Sequence, residues 1–229
     1  DFEWRDALWW TVGEHPDWAC RNRYNGLLYR SQLPTARHGG GVRIAPASHT
    51  FFQAVPPRTY GAEHPEYYSY RHGQGRVSAG AQLCLSNPDV LQIFIDFVLQ
   101  HMADPSVRMV AVSPNDCANP CQCPECEARD RRAGNHCGSY IEFVNRVADA
   151  TSKVYPDKYV VAVAYTYTAE PPRRTALRTN VVLRLAHMEP SCDAHPLATC
   201  PRNQRFVKLI RAWRRIAPRL FVWHYVTNF

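Results

Sequence analysis

Apolar and polar residues follow two alternating patterns in the second half of the chain. Short runs of apolar, β-branched residues predict buried strands, and segments with apolar residues every three or four positions predict amphipathic helices. The predicted strands are 108–113, 158–168, 180–186 and 219–225, with a further one at 41–46. The predicted helices are 88–102, 138–156 and 203–218. Strands that are apolar on both faces and alternate with helices indicate a parallel sheet with crossover helices.

This alternation predicts an α/β fold, specifically a partial (β/α)8 barrel of the TIM type that is truncated at both ends. Residues 1–229 are then a single incomplete barrel domain. A doubly wound open sheet is the alternative. Such a sheet usually has a Gly-rich phosphate-binding turn, and the sequence contains neither GxGxxG nor GxxxxGK[ST]. We expect no cofactor.

Two segments interrupt the alternating pattern. Residues 53–86 are rich in Pro, Gly, Tyr and His without a clean period, which predicts a long ordered loop that presents aromatic side chains. Residues 114–137 are a Cys-rich loop between a strand and the next predicted helix. Loops of this kind on a β/α scaffold often build a site.

Composition and charge exclude some classes of protein. The net charge is +7, but the basic clusters at 129–132, 171–178 and 211–215 are explained by helix faces and loops, so we expect no nucleic-acid partner. No stretch reaches the roughly 18 apolar residues of a membrane helix. Nine cysteines suit an oxidising compartment. We expect a processed product or a fragment of a longer protein that is secreted, periplasmic or on the cell surface, and the sequence does not indicate its oligomeric state.

Candidate chemistry lies where predicted strands end, because β/α barrels build their sites from these loops. Two carboxylates, Asp116 and Glu189, are the candidate catalytic residues. The candidate substrate-binding residues are His49, Asn115, Tyr165, Tyr167, Trp223, His224 and Tyr225. Paired carboxylates with aromatic platforms are what glycoside hydrolysis needs, because one acid protonates the leaving oxygen and aromatic faces stack on sugar rings.

The cysteine-rich loop has two interpretations. Cys117, Cys121, Cys123 and Cys126 have the spacing C-x3-C-x-C-x2-C. Zinc favours C-x2-C pairs separated by a longer span, and this segment has one such pair. We therefore favour disulfides that staple the loop, with partners such as Cys84 or Cys137, and a separate small loop closed by Cys192 and Cys200. A structural metal ion is the alternative, and we predict no metal at the active site.

Seven blocks of sequence, in order, resemble a known family. They are 48–70, 82–91, "VAVSPNDCANPCQCPEC" (110–126), 143–148, "VAYTYTAEPP" (163–172), 195–200 and "VWHYVTNF" (222–229). Together they look like the family called domain of unknown function 4838, which overlaps glycoside hydrolase family 163. The resemblance implies a β/α barrel and an endo-acting β-N-acetylglucosaminidase. It also implies a glycan or oligosaccharide substrate, namely N-glycans, and a secreted or surface protein of bacteria.

The same resemblance assigns individual residues. Asn115-Asp116 matches the family's block after the central strand, and Glu189 falls in its acidic position. Where the family usually has Trp-Asp-Tyr, this chain has Trp223-His224-Tyr225. If that Asp is charged in the site, His224 changes the pH behaviour or abolishes activity.

The hypothesis for the reaction is acid-assisted hydrolysis in which the substrate's own acetamide is the nucleophile. Asp116 or Glu189 would be a buried acid, and Asn115 and Tyr165 would hold the acetamide.

Three alternatives stay open. The first is a catalytically silent barrel that binds carbohydrate through Tyr165, Tyr167 and Trp223. The second is an α-glucuronidase-like glycosidase in which Arg178 or Arg184 holds the uronate carboxylate. The third, a zinc-stabilised interaction module, rests on the cysteines alone.

Overall fold

A five-stranded, wholly parallel sheet is the centre of the fold. A computed structural model describes residues 14–22, 24, 42–188 and 196–224. The strands of this sheet, in spatial order, are β1 (Arg43–Ile44), β4 (Val107–Val112), β5 (Tyr159–Ala164), β6 (Val181–Ala186) and β7 (Arg219–Trp223). The spatial order follows the order along the chain. A doubly wound sheet reverses its strand order at a switch point, and these five strands show no reversal.

Helices connect the strands, and the longer ones pack on the sheet. The helices in the described part of the chain are α1 (Pro16–Arg21), α2 (Phe51–Ala54), α3 (Pro57–Tyr60), α4 (Pro88–Met102), α5 (Pro124–Ala133), α6 (Gly138–Thr151) and α7 (Gln204–Arg214). Asn87 caps α4 by accepting hydrogen bonds from the backbone of Asp89 and Val90, at 2.8 and 3.1 Å, and Pro88 occupies its first turn. The predicted bounds of this helix are therefore confirmed.

The two faces of the sheet are covered differently. Alternate strand residues such as Val112, Ala162 and Leu183 point into the main core, where they pack with α4, α6 and α7. The residues between them, such as Ala111 and Val161, form a smaller cluster on the opposite face, and no helix residue in the described ranges belongs to it. Helices on a single face, with strands in sequential order, are the arrangement of a β/α barrel.

The sheet is thus a curled half-barrel of α/β type, which bears out the coarser part of the fold prediction. Tyr140 of α6 is fully buried and ties two strands together close to their carboxyl ends. Its hydroxyl donates to the carbonyl of Val112 and accepts from the backbone N–H of Val163, both at 2.7 Å. These bonds fix the spacing between the two loops that follow β4 and β5.

Some predicted bounds are wrong. The helix predicted to reach residue 156 ends at Thr151, and the strand predicted to reach residue 168 ends at Ala164. After Ala164 the chain turns into a 3-10 helix, Thr166–Thr168, in which Thr166 has φ 48°. The run of Tyr and Thr has high strand propensity, but the loss of strand partners beyond Ala164 decides the outcome.

The two interrupting segments contain more regular structure than the sequence pattern indicates. Residues 53–86 include α3 and an antiparallel hairpin, β2 (Ser69–Arg71) and β3 (Gly75–Val77). Residues 114–137 contain α5, whose sequence PECEARDRRA is too polar to show an apolar stripe. End signals could have revealed α5: Pro124 in the first turn, two arginines in the last turn, and Gly134 with φ 86° directly after it.

Candidate active site and cysteine cluster

A cleft of about 250 Å³ lies at the carboxyl ends of the parallel strands. Its walls come from the residues that end or follow the strands, together with inward-facing side chains of β5 and β6. The lining residues are Ser48, His49, Ser113, Asp116, Val163, Tyr165, Arg184, Ala186, Met188 and Trp223. Four of the predicted site residues are among them. The parallel register accounts for this convergence, because it brings the ends of successive strands to one edge of the sheet.

His49 and Tyr165 form a hydrogen-bonded pair on one wall of the cleft. The Tyr165 hydroxyl donates to the carbonyl of Asn115 at 2.9 Å and lies 3.4 Å from His49 Nδ1. His49 Nδ1 is also 3.2 Å from the carbonyl of Pro114. A carbonyl can only accept, so this contact favours the tautomer with the proton on Nδ1. His49 Nε2 is then a hydrogen-bond acceptor and can act as a base.

Backbone strain occurs in the loops that follow β1 and β5, the two strands on either side of β4. His49 has φ 51° and Thr166 has φ 48°, in the left-handed region that favours glycine. Each such residue costs on the order of 1 kcal/mol and persists because surrounding contacts fix it. The His49 backbone N–H donates to Ser113 Oγ at 3.1 Å, and the Tyr165 backbone N–H donates to Thr168 Oγ1 at 3.1 Å. Strain of this kind clusters at functional sites, which favours a role for this wall of the cleft.

Arg184 places a cationic group at the cleft. It stands in the middle of the apolar strand β6, is 3% exposed, and donates a hydrogen bond to the carbonyl of Ala47. Its guanidinium carbon lies 5.3 Å from the centre of the Trp223 ring, which is cation–π distance. Arg178, the other arginine considered for a uronate, instead forms a two-pronged ion pair with Asp149, at 2.8 and 3.0 Å. Arg178 does not line the cleft.

Asp116 reaches the cleft, but the expectation of a buried acid is wrong for it. Its side chain is exposed in this structure. Helix α5 begins at Pro124, eight positions after Asp116. Cys123 is the residue that precedes the first turn of α5, so Asp116 is not its cap. The position of Asp116 at the cleft rim, rather than its distance from a helix, is what favours function.

Asn115 is not available to hold a substrate acetamide. Its side-chain oxygen accepts from the backbone N–H of Phe52 at 3.3 Å, and its side-chain nitrogen donates to the carbonyl of Ala81 at 2.9 Å. Gln82 adds bonds to the Asn115 backbone: its Oε1 accepts from the N–H and its Nε2 donates to the carbonyl, both at 2.9 Å. Asn115 therefore fixes the loop that presents Asp116.

The remaining predicted residues are placed away from the cleft or are not described. Tyr167 is partly buried and does not line the cleft, and burial raises the pKa of its hydroxyl well above the ordinary value. His224 is exposed, and its ring stacks on that of His187, with the two Nδ1 atoms 3.0 Å apart. Glu189 and Tyr225 lie outside the described residues, so their predicted roles stay predictions.

Sequence reasoning undervalued two groups that the structure brings forward. Arg184 was considered only as a ligand for a uronate, although it is the one charged residue in the otherwise apolar run VVLRLA. Ser48 and Ser113 gave no such signal, because small polar residues at strand ends are common in loops. They join the cleft through the packing of the loop after β1 on the loop after β4, which includes the 3.1 Å bond from His49 to Ser113.

Four of the cysteines form a compact buried cluster next to the β2–β3 hairpin. The Sγ atoms of Cys84, Cys121, Cys123 and Cys126 all lie within 4.8 Å of one another, and the four residues are buried. The sulfurs of Cys84 and Cys123 are 3.6 Å apart, against about 2.05 Å for a disulfide.

The predicted staples are therefore wrong for the described cysteines. Seven of them form no disulfide: Cys84, Cys117, Cys121, Cys123, Cys126, Cys137 and Cys200. Cys137 is instead a buried core residue whose Sγ contacts the carbonyl of Thr168 at 3.6 Å. Cys192 lies outside the described residues.

Hydrogen bonds within the cluster lower the pKa of Cys84 and Cys123 and raise the pKa of Cys121 and Cys126. The bond with Cys121, together with weaker ones from Cys126 and Ser86, lowers the pKa of Cys84 to about 6. Bonds with Cys121 and Cys126 also hold the pKa of Cys123 well below its usual range. Four sulfurs this close cannot all keep the ordinary pKa of a thiol, because each thiolate is stabilised by the S–H groups that point at it.

The fold and the cleft define a class: an α/β domain with a half-barrel sheet and a candidate site at the carboxyl ends of its strands. Residues 1–229 match the family described as Domain of unknown function (DUF4838), and the chain belongs to that family. This bears out the family part of the resemblance seen in the sequence. No curated protein matches the chain.

One similar solved structure is the endo-glycoceramidase II from Rhodococcus sp., in complex with a five-membered iminocyclitol. The identity is 18% and the TM-score 0.36, and the match covers 57% of this chain and 30% of that one. The chain therefore spans less than a third of the length of that enzyme. Within the described ranges, no helix has both the length and the apolar composition needed to cross a membrane.

Proposed function

We propose that this domain binds a glycan in the strand-end cleft and hydrolyses a glycosidic bond there, with β-N-acetylglucosaminide linkages of N-glycans as the substrate. The observation that supports this best is the composition of the cleft. It combines the Asp116 carboxyl group, the His49–Tyr165 pair and the Arg184–Trp223 pair on one edge of a half-barrel. The resemblance of the sequence blocks to a glycosidase family supports the same reaction class.

The proposed reaction uses the substrate as its own nucleophile. Asp116 is the one carboxyl group among the described residues that line the cleft, and two carboxylates are the usual requirement. In substrate assistance, the acetamide oxygen attacks the anomeric carbon while the acid gives its proton to the leaving oxygen, and the glycosidic bond breaks. Water then opens the cyclic intermediate, and its proton returns to the carboxylate. A cleft with one acid fits this scheme.

Asp116 has to be protonated to act as the acid. Its side chain is exposed in this structure, so the proposal requires that bound substrate shields it from water. A sugar lying over the cleft would exclude water from the carboxyl group, and exclusion of water favours the neutral acid. His49, whose Nδ1 faces the Pro114 carbonyl and leaves Nε2 as an acceptor, is suited to hold a sugar hydroxyl or the incoming water.

The test compares full-length wild-type protein with Asp116→Asn on a panel of released glycans that contain the chitobiose core, read by mass spectrometry. Asp96→Asn is the matched control, because Asp96 is exposed on α4 and outside the cleft. We expect cleavage between the two core GlcNAc residues by wild type and control, and a fall of about 10²–10⁴-fold in kcat for Asp116→Asn. Normal turnover by Asp116→Asn would remove Asp116 from the mechanism.

Binding of the glycans by folded wild-type protein without any cleavage would favour the catalytically silent carbohydrate-binding barrel instead. In that case His224→Asp is the first variant to make, since it restores the Trp-Asp-Tyr block of the family that the chain resembles.

A second candidate function, cleavage of an acidic sugar, is favoured by Arg184. A guanidinium can hold a uronate carboxylate through two parallel hydrogen bonds, which a lysine cannot do. If the substrate is a glucuronide, Arg184→Lys should weaken its binding by at least roughly tenfold and leave neutral glycans little affected. Equal effects on both sugar classes would contradict recognition of a uronate by Arg184.

A further inference from the structure

We propose that Cys84, Cys121, Cys123 and Cys126 bind one Zn²⁺ through four thiolates, as a structural centre that fixes the loop bearing Asp116. The four sulfurs converge on one point, within 4.8 Å of one another. A tetrahedral zinc site with Zn–S bonds of about 2.3 Å has sulfurs roughly 3.8 Å apart. The 3.6 Å between Cys84 and Cys123 agrees with that geometry. An all-sulfur, buried ligand set with four members is a closed site of the structural type.

The arrangement of the ligands along the chain fits a metal better than disulfides. A disulfide joins two sulfurs at about 2.05 Å, whereas here four sulfurs surround one centre. Cys123-Pro-Glu-Cys126 is a C-x2-C pair at the start of the ten-residue helix α5. The N-terminus of a helix carries partial positive charge, which stabilises thiolates placed there.

Groups around the cluster orient the sulfurs. The backbone N–H of Tyr70 donates to Cys121 Sγ at 3.3 Å, and the Arg76 guanidinium lies 3.9 Å from the same sulfur. Ser86 Oγ lies 3.3 to 3.4 Å from three of the sulfurs. A metal centre normally has such hydrogen-bonding groups outside its ligands. Four thiolates and one Zn²⁺ leave a net charge of −2, which the Arg76 cation partly offsets.

The centre would hold together two segments that are distant in sequence, the one with Cys84 and the one with residues 121–126, and the β2–β3 hairpin packs against it. Hairpin residue Tyr70 accepts a hydrogen bond from the Gln122 backbone N–H at 2.7 Å, next to Cys121. Two residues before Cys84, Gln82 binds the backbone of Asn115 and donates to the carbonyl of Cys117 at 2.7 Å. A zinc ion at the cluster would therefore set the position of Asp116 without contacting substrate.

The first test measures metal content of the full-length protein, purified from zinc-supplemented medium and dialysed free of loose metal, by inductively coupled plasma mass spectrometry. We expect about one zinc per chain in wild type, and near-complete loss in Cys84→Ser and in Cys126→Ser. Cys117→Ser is the matched control: it lies in the same loop, and its Sγ contacts Gln82 Nε2 at 3.1 Å rather than the cluster. The control should keep its zinc. Zinc retained by both cluster variants, or absent from wild type, would overturn the proposal, and stoichiometric iron would overturn the choice of zinc.

A second test needs no variant, so a failure of a cysteine variant to fold leaves the proposal testable. Wild-type protein is unfolded in a denaturant that contains a chelator but no reductant. Its cysteines are then alkylated and mapped by mass spectrometry. The zinc centre predicts that all four cluster cysteines are alkylated. Cluster cysteines that react only after reduction would be disulfide-bonded, which contradicts the proposal. Neither test uses glycosidase activity, so its result is independent of the proposed reaction.

Discussion

The strand-end cleft and the cysteine cluster are joined by one loop, residues 113–126, and they are built in opposite ways. The cleft collects single residues from several strand ends and stays open, with Asp116 exposed at its rim. The cluster is buried, and its ligands come from two stretches of irregular chain and one helix start. A site on strand ends follows from the register of the sheet, whereas a site between loops depends on contacts between distant segments.

This difference separates the expected effects of mutation. A substitution in the cleft should alter substrate binding or turnover and leave the fold unchanged, because the sheet positions the cleft residues. A change in the cluster should alter the fold first, because a structural metal contributes directly to folding free energy.

Cys126→Ser should have the largest effect on stability. Loss of a zinc ligand removes a contribution present only in the folded state, so we expect the free energy of unfolding to fall by at least about 3 kcal/mol. Cys117→Ser should stay within about 1 kcal/mol of wild type. Urea unfolding followed by circular dichroism measures both. Equal stabilities of the two variants would contradict a contribution of the cysteine cluster to the free energy of unfolding.

Gln82→Leu tests the connection between the cleft and the cysteine cluster. The Gln82 side chain is fully buried and makes three bonds to the backbone of Asn115 and Cys117. Leucine fills similar space but leaves those backbone groups unpaired, so the free energy of unfolding should fall by about 2–3 kcal/mol. Activity on glycans should fall as well, because the Asp116 loop loses its support, while zinc content stays near one per chain.

Gln100→Leu serves as the control for this substitution, since Gln100 is exposed near the end of α4. If Gln82→Leu lowered stability no more than Gln100→Leu does, the hydrogen bonds of Gln82 would not be what supports the loop.

Tyr165→Phe should have a smaller effect on stability and a distinct effect on the cleft. It removes the hydroxyl that donates to the Asn115 carbonyl and contacts His49, but it keeps the ring. Because Gln82 still donates to the same carbonyl, we expect a loss of about 1 kcal/mol in the free energy of unfolding. Substrate binding measured by calorimetry should weaken. Unchanged binding would show that the Tyr165 hydroxyl does not contribute to substrate binding.

Arg178→Ala should have the smallest effect. Its ion pair with Asp149 is exposed, with about half of each side chain accessible, and exposed pairs contribute roughly 0–1 kcal/mol. Thermal unfolding should shift little, and activity on any glycan, acidic or neutral, should match that of wild type. A selective loss of activity on glucuronides in this variant would contradict the assignment of Arg184, rather than Arg178, to the cleft.

The main features of the fold were predictable because they rest on local periodicity. The apolar runs that became β4, β5 and β6 are buried on both faces, and the spacing of apolar residues in α4 and α6 reports their packing against the sheet. Helix α5 escaped prediction because it buries Cys126, Asp130 and Ala133, and two small apolar residues with an acid between them do not form a recognisable apolar stripe.

The candidate site was predictable in part, because local periodicity also reveals where the strands end. His49, Asp116, Tyr165 and Trp223 were selected because they follow strands, and parallel strands end at one edge. Asn115 also follows a strand, yet its side chain forms hydrogen bonds with the backbone of two other segments, at Phe52 and Ala81. Nothing in a single sequence states which polar side chain faces a substrate and which one satisfies buried backbone groups.

The sequence by itself determined the α/β alternation, the parallel sheet and the strand-end positions where chemistry collects. The tertiary structure decided two things that involve residues far apart in the chain. It placed Cys84 beside three cysteines some 40 positions away, instead of in a disulfide or with Cys117. It also placed Arg184 beside Trp223 and the loop after β1. Local periodicity reports which face of an element is buried, but only the folded chain brings separate elements within bonding distance.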